Sequence, residues 1–153
     1  MERARFPVIL AGGEVLWSRA GTSLAELAEE LEVPVATIRD QPDAFPNTHP
    51  LGVGLIGKGR AEAGNAVMNQ ADLILAMGVK FDYQSTRYNF EIIPQKAKIV
   101  HVSIDPEEVG RIYPVVIGVA CDVGAVIKAL LRKLREKEIR FGLKNMVEGI
   151  KRE

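Results

Sequence analysis

The sequence predicts an α/β protein: a single three-layer αβα domain around a doubly wound parallel sheet of the Rossmann-like type. Two observations carry the class. Hydrophobic strand candidates alternate with helical patterns along the chain, and the strand candidates are apolar enough to be covered on both faces, as parallel strands are. Each candidate also runs out into glycine, threonine or aspartate. In an open parallel sheet the carboxyl ends of the strands line the crevice where ligands sit, so these exits read as a nucleotide-shaped scaffold.

In order, the first strand candidate is Val8-Ile9-Leu10-Ala11, leaving through Gly12-Gly13. Leu24, Leu27, Ala28 and Leu31 recur at i, i+3, i+4, i+7, with Glu26, Glu29, Glu30 and Glu32 on the other face, which predicts an amphipathic helix. Ser23 is its expected N-cap, with Glu26 three residues on as in a capping box. A second strand runs through Pro34-Val35-Ala36 to Thr37, and residues 37–60 read as one long connection rich in Pro and Gly. Residues 61–70 predict a short helix, Leu73-Ile74-Leu75-Ala76-Met77 a strand ending at Gly78, and residues 81–96 a second long connection. Ile99 to Ile104 forms a strand leading to Asp105, and Val115 to Cys121 one leading to Asp122. Ile127, Leu130, Leu131 and Leu134 mark a strong helix starting near Asp122 or Val123.

Composition narrows the setting. The 153 residues suit one domain, and 47% hydrophobic content is ample for its core. Twenty basic residues balance twenty acidic ones, so no global field draws the protein to nucleic acid or to a membrane surface. The single Cys121 lies in an apolar run and reads as a buried structural thiol suited to a reducing compartment. No segment approaches the ~20 apolar residues that span a bilayer. Met1 to Phe6 lacks the apolar core of a signal peptide, so the expected location is the cytoplasm.

Sharper motifs fail on context. Gly52-Val53-Gly54-Leu55-Ile56-Gly57 matches the dinucleotide fingerprint, but Phe45 to Pro50 precedes it where a strand is required. Residues 52–59 nearly match a P-loop with Lys58 in the lysine position, yet Gly59 replaces the hydroxyl that would hold magnesium. The segment reads as a tight irregular loop, with an anion nest beside Lys58 and Arg60 as the alternative. His49 and His101 read as structural, the first in a loop and the second in a strand, and neither has partners at zinc-ligand spacing. Ser18 and Ser23 lie outside any Gly-x-Ser-x-Gly elbow.

Taken together, Arg5 to Gly13, Glu26-Leu27-Ala28-Glu29 with Val33 to Thr37, Ala44 to Gly52, Ala71 to Asp82 and Ala97 to Gly110 resemble the central domain of thiamine-diphosphate-dependent enzymes, most of all the acetolactate synthase branch. The likeness spans about residues 5–134. It implies a six-stranded parallel sheet of the nucleotide-binding type in a domain over residues 1–137, which holds FAD in the synthases and ADP or nothing in some relatives. It would set Gly12 and Gly13 near the nucleotide, Thr37 at the next strand exit, and Gly54 and Gly57 against an extended cofactor. Gly78 and Lys80 would lie near its phosphates, with Asp105 and Asp122 around the adenosine. Each of these is also an ordinary turn residue.

Three departures bear on flavin. Lys80 stands where the synthases carry arginine, which loses a bidentate fork. Ser103 replaces the first aspartate of an Ile-Asp-Ile-Asp pattern, and Arg39-Asp40-Gln41-Pro42-Asp43 replaces a glycine-containing segment. The family's thiamine diphosphate sits between two further domains, one giving an activating glutamate and the other a Gly-Asp-Gly metal motif. Neither is read here, and Asp122-Val123-Gly124 only echoes the motif, since no asparagine follows until Asn145.

Thiamine diphosphate and magnesium are therefore expected only through partner subunits. The expected role is a structural and nucleotide-binding subunit of a split enzyme acting on 2-oxo acids, not catalytic alone. The alternatives are a free-standing adenine-nucleotide or flavin module, and a remnant without ligand. Residues 138–153 form an extension in which Leu143, Met146, Val147 and Ile150 keep helical spacing. It is expected to cover its own domain, pair with a copy of itself in a homo-oligomer, or dock on another subunit.

Overall fold

A computed structural model describes residues 4–57 and 61–152 of the chain. The elements are β1 (Pro7–Ala11), α1 (Gly13–Trp17), α2 (Gly21–Leu31), β2 (Val35–Thr37), β3 (Gly52–Leu55), α3 (Glu62–Gln70), β4 (Leu73–Met77), α4 (Tyr83–Thr86), β5 (Lys98–Ser103), β6 (Ile117–Ala120), α5 (Val123–Lys137) and α6 (Lys144–Arg152), with a 3-10 turn at Pro42–Ala44. The six strands form one sheet in the order β3-β2-β1-β4-β5-β6. Every pairing is parallel. The chain builds outward from β1 to β3, then crosses back to β4 and builds the other way. The neighbours β1 and β4 are thus the switch point, and both are buried along their whole length.

Helices enclose the sheet because their apolar stripes fall where the spacing predicts. Leu24, Leu27, Ala28 and Leu31 of α2 are buried, as are Ile127, Leu131 and Leu134 of α5. Asp122 caps α5, its Oδ1 accepting from Ala125 N at 2.8 Å. No helix among the described residues is long and apolar enough to cross a membrane.

Three expectations are corrected. The stretch read as a glycine loop contains β3, pairing Val35 with Gly52, Ala36 with Gly54 and Thr37 with Leu55. Gly-Val-Gly-Leu has poor strand propensity, but β2 offers a free edge, and Gly54 at φ 79° absorbs the register shift between Val35 and Ala36. The capping box at Ser23 does not form. The chain turns directly from α1 through Arg19 at φ 52°, so α2 starts at Gly21 with Ala20 as an N-cap that makes no side-chain bond. Cys121 is exposed rather than buried, because it follows β6, the edge strand, whose own residues are mostly exposed.

The tail is wired into the domain. Phe141 N donates to Leu31 O at 2.9 Å and Leu143 N to Glu32 O at 3.0 Å, so the tail satisfies carbonyls at the end of α2. From there α6 packs against α3 with Leu143 and Val147 buried, and Lys151 Nζ donates to His49 O at 3.1 Å. Val147→Ala is expected to cost about 2 kcal/mol of stability, from the lost burial and the cavity left behind. Urea titration checks this: the midpoint should fall with the slope unchanged, whereas an unmoved midpoint would place α6 outside the cooperative unit.

Candidate functional site

Beyond the strand ends the ladder continues for one more rung. Gly12 N donates to Met77 O at 3.0 Å and Gly78 N to Val102 O at 2.8 Å. This brings two backbones together so closely that a Cβ at Gly12 would lie 2.2 Å from Gly78 O. At Gly78, with φ 64°, a Cβ would lie 2.4 Å from the Cβ of Glu14. Both glycines are needed for the chain to close on itself.

In front of this junction lies a small cleft of about 50 Å³, with Gly13, Glu14, Trp17, Gln41, Gly78 and Lys80 in its walls. That volume is well below the roughly 300–1,000 Å³ of ligand pockets, so the cleft takes one group of a ligand rather than enclosing it. Trp17, the chain's single tryptophan, is 72% exposed at the rim. Lys80 shares the cleft with Asp40 and Asp82. The loop carrying Lys80 is held firmly, because Ser85 Oγ donates to Lys80 O at 2.9 Å and Ser85 N to Asp82 Oδ1 at 2.8 Å.

Glu14, which the sequence reading passed over, is the most unusual group here. It is only 5% exposed. Its Oε1 accepts from Ser103 Oγ at 2.6 Å and its Oε2 from Ile104 N at 2.8 Å, joining the β1 exit to the β5 exit. The available signal was an acid directly after Gly12-Gly13, three residues beyond the end of β1.

The remaining predicted residues divide by location. Thr37, at the β2 exit, is buried, and its Oγ1 is a buried side-chain polar atom with no hydrogen-bond partner among the described residues. Gly54 lies in β3, and Gly57 is tied to α3, its N and O bonded to the Asn65 amide at 2.8 and 2.9 Å. Gly57 lines a second depression with Asn65 and Arg87, apart from the Lys80 cleft. Asp105 accepts from Glu107 N at 3.0 Å, and Asp122 caps α5, so both carboxylates hold local turns. The structure therefore gathers Gly13, Gly78 and Lys80 into one cleft backed by Gly12, and leaves the others along neighbouring exits. Lys58, Gly59 and Arg60, on which the P-loop and nest readings turned, lie outside the described residues.

Both histidines have structural partners. His49 Nδ1 accepts from Leu51 N at 3.2 Å and its Nε2 meets Glu29 at 3.1 Å. His101 is fully buried, and its Nδ1 accepts from Gly110 N at 3.2 Å, so its Nε2 carries the proton and donates to Val79 O at 2.8 Å. Burial lowers its pKa below the ordinary 6.5, against smaller raising effects from the Val79 carbonyl, Glu14 and Glu108. Burial likewise pushes the Tyr113 phenol up.

The folded chain therefore refuses a proton that the unfolded chain accepts. The neutral imidazole's stabilisation is complete above pH 6.5 and is lost as the pH falls below it. Thermal melts from pH 7.5 to 5.5 should show a falling midpoint, with a shallower fall in His101→Gln; equal slopes would remove His101 as the cause.

Tests of cofactor fit differ for the two groups the resemblance implies. Among the described residues no cluster of three or more His, Cys, Asp or Glu side chains is placed to hold a metal ion, so any magnesium here would take most of its ligands from phosphate and water. Toward a nucleotide the cleft presents the Lys80 cation and the Trp17 indole face, beside the carboxylates of Glu14, Asp40 and Asp82.

The family model for the thiamine pyrophosphate enzyme central domain matches residues 1–130. A sulfoacetaldehyde acetyltransferase of Rhodobacter capsulatus is 39% identical over 136 residues, covering 88% of this chain and 23% of that protein. A probable acetolactate synthase large subunit of Methanocaldococcus jannaschii is 36% identical over 134 residues, covering 88% and 22%. An acetolactate synthase of Mycobacterium bovis is 36% identical over 136 residues, covering 89% and 22%. The likeness thus extends beyond the synthase branch to the acetyltransferases, and the chain spans less than a quarter of the length of these relatives. With the β3-β2-β1-β4-β5-β6 parallel sheet and a match over most of its length, the chain belongs to the thiamine pyrophosphate enzyme central-domain family.

Proposed function

We propose that this chain works as the middle module of a thiamine-diphosphate-dependent enzyme acting on 2-oxo acids, as a structural and nucleotide-binding component of a split enzyme. In this reading an adenine nucleotide or flavin lies across the strand exits with its phosphates at the switch-point cleft, and thiamine diphosphate with magnesium resides on separate partner subunits. The observation that carries it is the cleft itself: Lys80 and Trp17 face one opening at the β1–β4 junction, the switch point of the sheet. Thiamine diphosphate would supply carbanion stabilisation when bound. This chain's own contribution is to bind and orient: Lys80 neutralises phosphate, and Trp17 stacks on a planar base.

A cytoplasmic setting accords with an exposed, unpaired Cys121. Self-association accords with exposed Val116 and Ile117 along the edge strand.

Trp17 makes the test direct, because its fluorescence reports from the cleft rim. Titration with ADP or FAD should give saturable quenching, and Lys80→Ala should weaken the binding about tenfold, or about 1.4 kcal/mol, for one lost charge-assisted contact. No response to either ligand would remove the nucleotide role. Affinity purification from the source cell should co-isolate thiamine-diphosphate-binding chains. The purified chain given thiamine diphosphate, magnesium and 2-oxo acids should show no carboligation or decarboxylation, and turnover would overturn the subunit reading.

A further inference from the structure

The β5 exit holds an arrangement that the nucleotide reading leaves unused. Ser103 Oγ–H and Ile104 N–H point side by side at one anion-sized position, and the two oxygens of the chain's own Glu14 carboxylate sit there, at 2.6 and 2.8 Å. Asp105 N donates to Ser103 Oγ at 3.2 Å, which occupies a lone pair of the hydroxyl and leaves its proton aimed at Glu14. Ser103 is fully buried and Glu14 is nearly so. Among the described residues no lysine or arginine forms an ion pair with Glu14, so its charge is held by neutral donors alone. A charge held this way is costly to bury unless the donors are well placed for an anion. Room for it exists only because Gly78, at φ 64°, has no side chain where the Glu14 Cβ passes.

We propose that Ser103 Oγ and Ile104 N form an anion-binding pair suited to phosphate, and that Glu14 is its built-in plug. While Glu14 is in place both donors are taken and its charge repels a second anion, so the β5 branch of the crevice is closed to phosphate-bearing ligands. Any ligand of the Lys80 cleft is then confined to the β2 and β4 side. Glu14 is a specificity-determining residue that decides how far along the strand exits a ligand reaches.

Inorganic phosphate is the probe, and the amide resonance of Ile104 is the reporter. In the wild-type chain phosphate should leave that resonance unmoved. In Glu14→Ala it should shift saturably, with at least tenfold tighter binding than any wild-type response, and a Ser103→Ala change added to Glu14→Ala should abolish the shift. Glu14→Gln keeps the packing while removing the charge, and should gain a smaller response; if Glu14→Ala fails to fold, Glu14→Gln alone decides. A wild-type response equal to the variants', or folded variants that stay silent, would overturn the plug. The nucleotide reading is judged separately: an intact phosphate response with no binding of ADP or FAD in any variant counts against that reading alone.

Discussion

The close approach of β1 and β4 at their exits is the constraint from which the rest of the molecule follows. These strands are central, buried from end to end, and continue their ladder through Gly12 N and Met77 O. With only backbone at Gly12 and Gly78, the chains meet without side chains between them. The turn after β1 can then enter α1 at once, and that entry delivers Glu14 to the β5 side and Trp17 to the rim. A side chain at either glycine would push the exits apart and move every wall of the cleft. The shape of the site is thus a consequence of main-chain packing, set before any ligand contact is considered.

That priority alters the meaning of the glycines. A glycine beside a strand exit is usually read as clearance for a phosphate, and at Gly12 and Gly78 the clearance is filled by the protein. Gly13 differs, since the nearest neighbour of a Cβ there is the flexible Gln41 side chain at 3.2 Å, within the cleft wall. Ser103 also acquires a physical reason. An aspartate at that position would face the Glu14 carboxylate in a buried space, whereas a serine donates to it. Glu14 and Ser103 thus form one matched pair of acceptor and donor.

The sheet was legible because buried parallel strands need apolar runs: β1 and β4 are apolar throughout, and β5 is broken only by the buried, hydrogen-bonded His101. Edge elements were not. β3 is built from Gly-Val-Gly-Leu, whose pairing is dictated by β2 rather than by its own residues, and the exposure of Cys121 follows from its place after the other edge strand, β6. Ser23 and Glu26 satisfied a capping pattern, but the tight junction after Arg19 set the start of α2 first. At the site, Lys80 and Gly13 were visible as exit residues. Glu14 was not, because its role depends on a serine 89 positions away in sequence and no local pattern encodes that contact.

The tail shows how tertiary wiring extends a domain beyond the segment matched by its family. The match ends at residue 130, within α5, yet two carbonyls at the end of α2 are satisfied by the amides of Phe141 and Leu143. Without them these acceptors, at the left-handed cap of Glu32, would need water or another partner. A nine-residue helix such as α6 is too short to persist in isolation, so its order derives from the α3 surface that buries Val147. The dependence runs both ways, because Val147 and Leu143 complete the apolar cluster that backs α3. The C-terminal residues are therefore part of what holds α2 and α3 on the sheet, and through β2 and β3 they support the exits at Thr37 and Gly54.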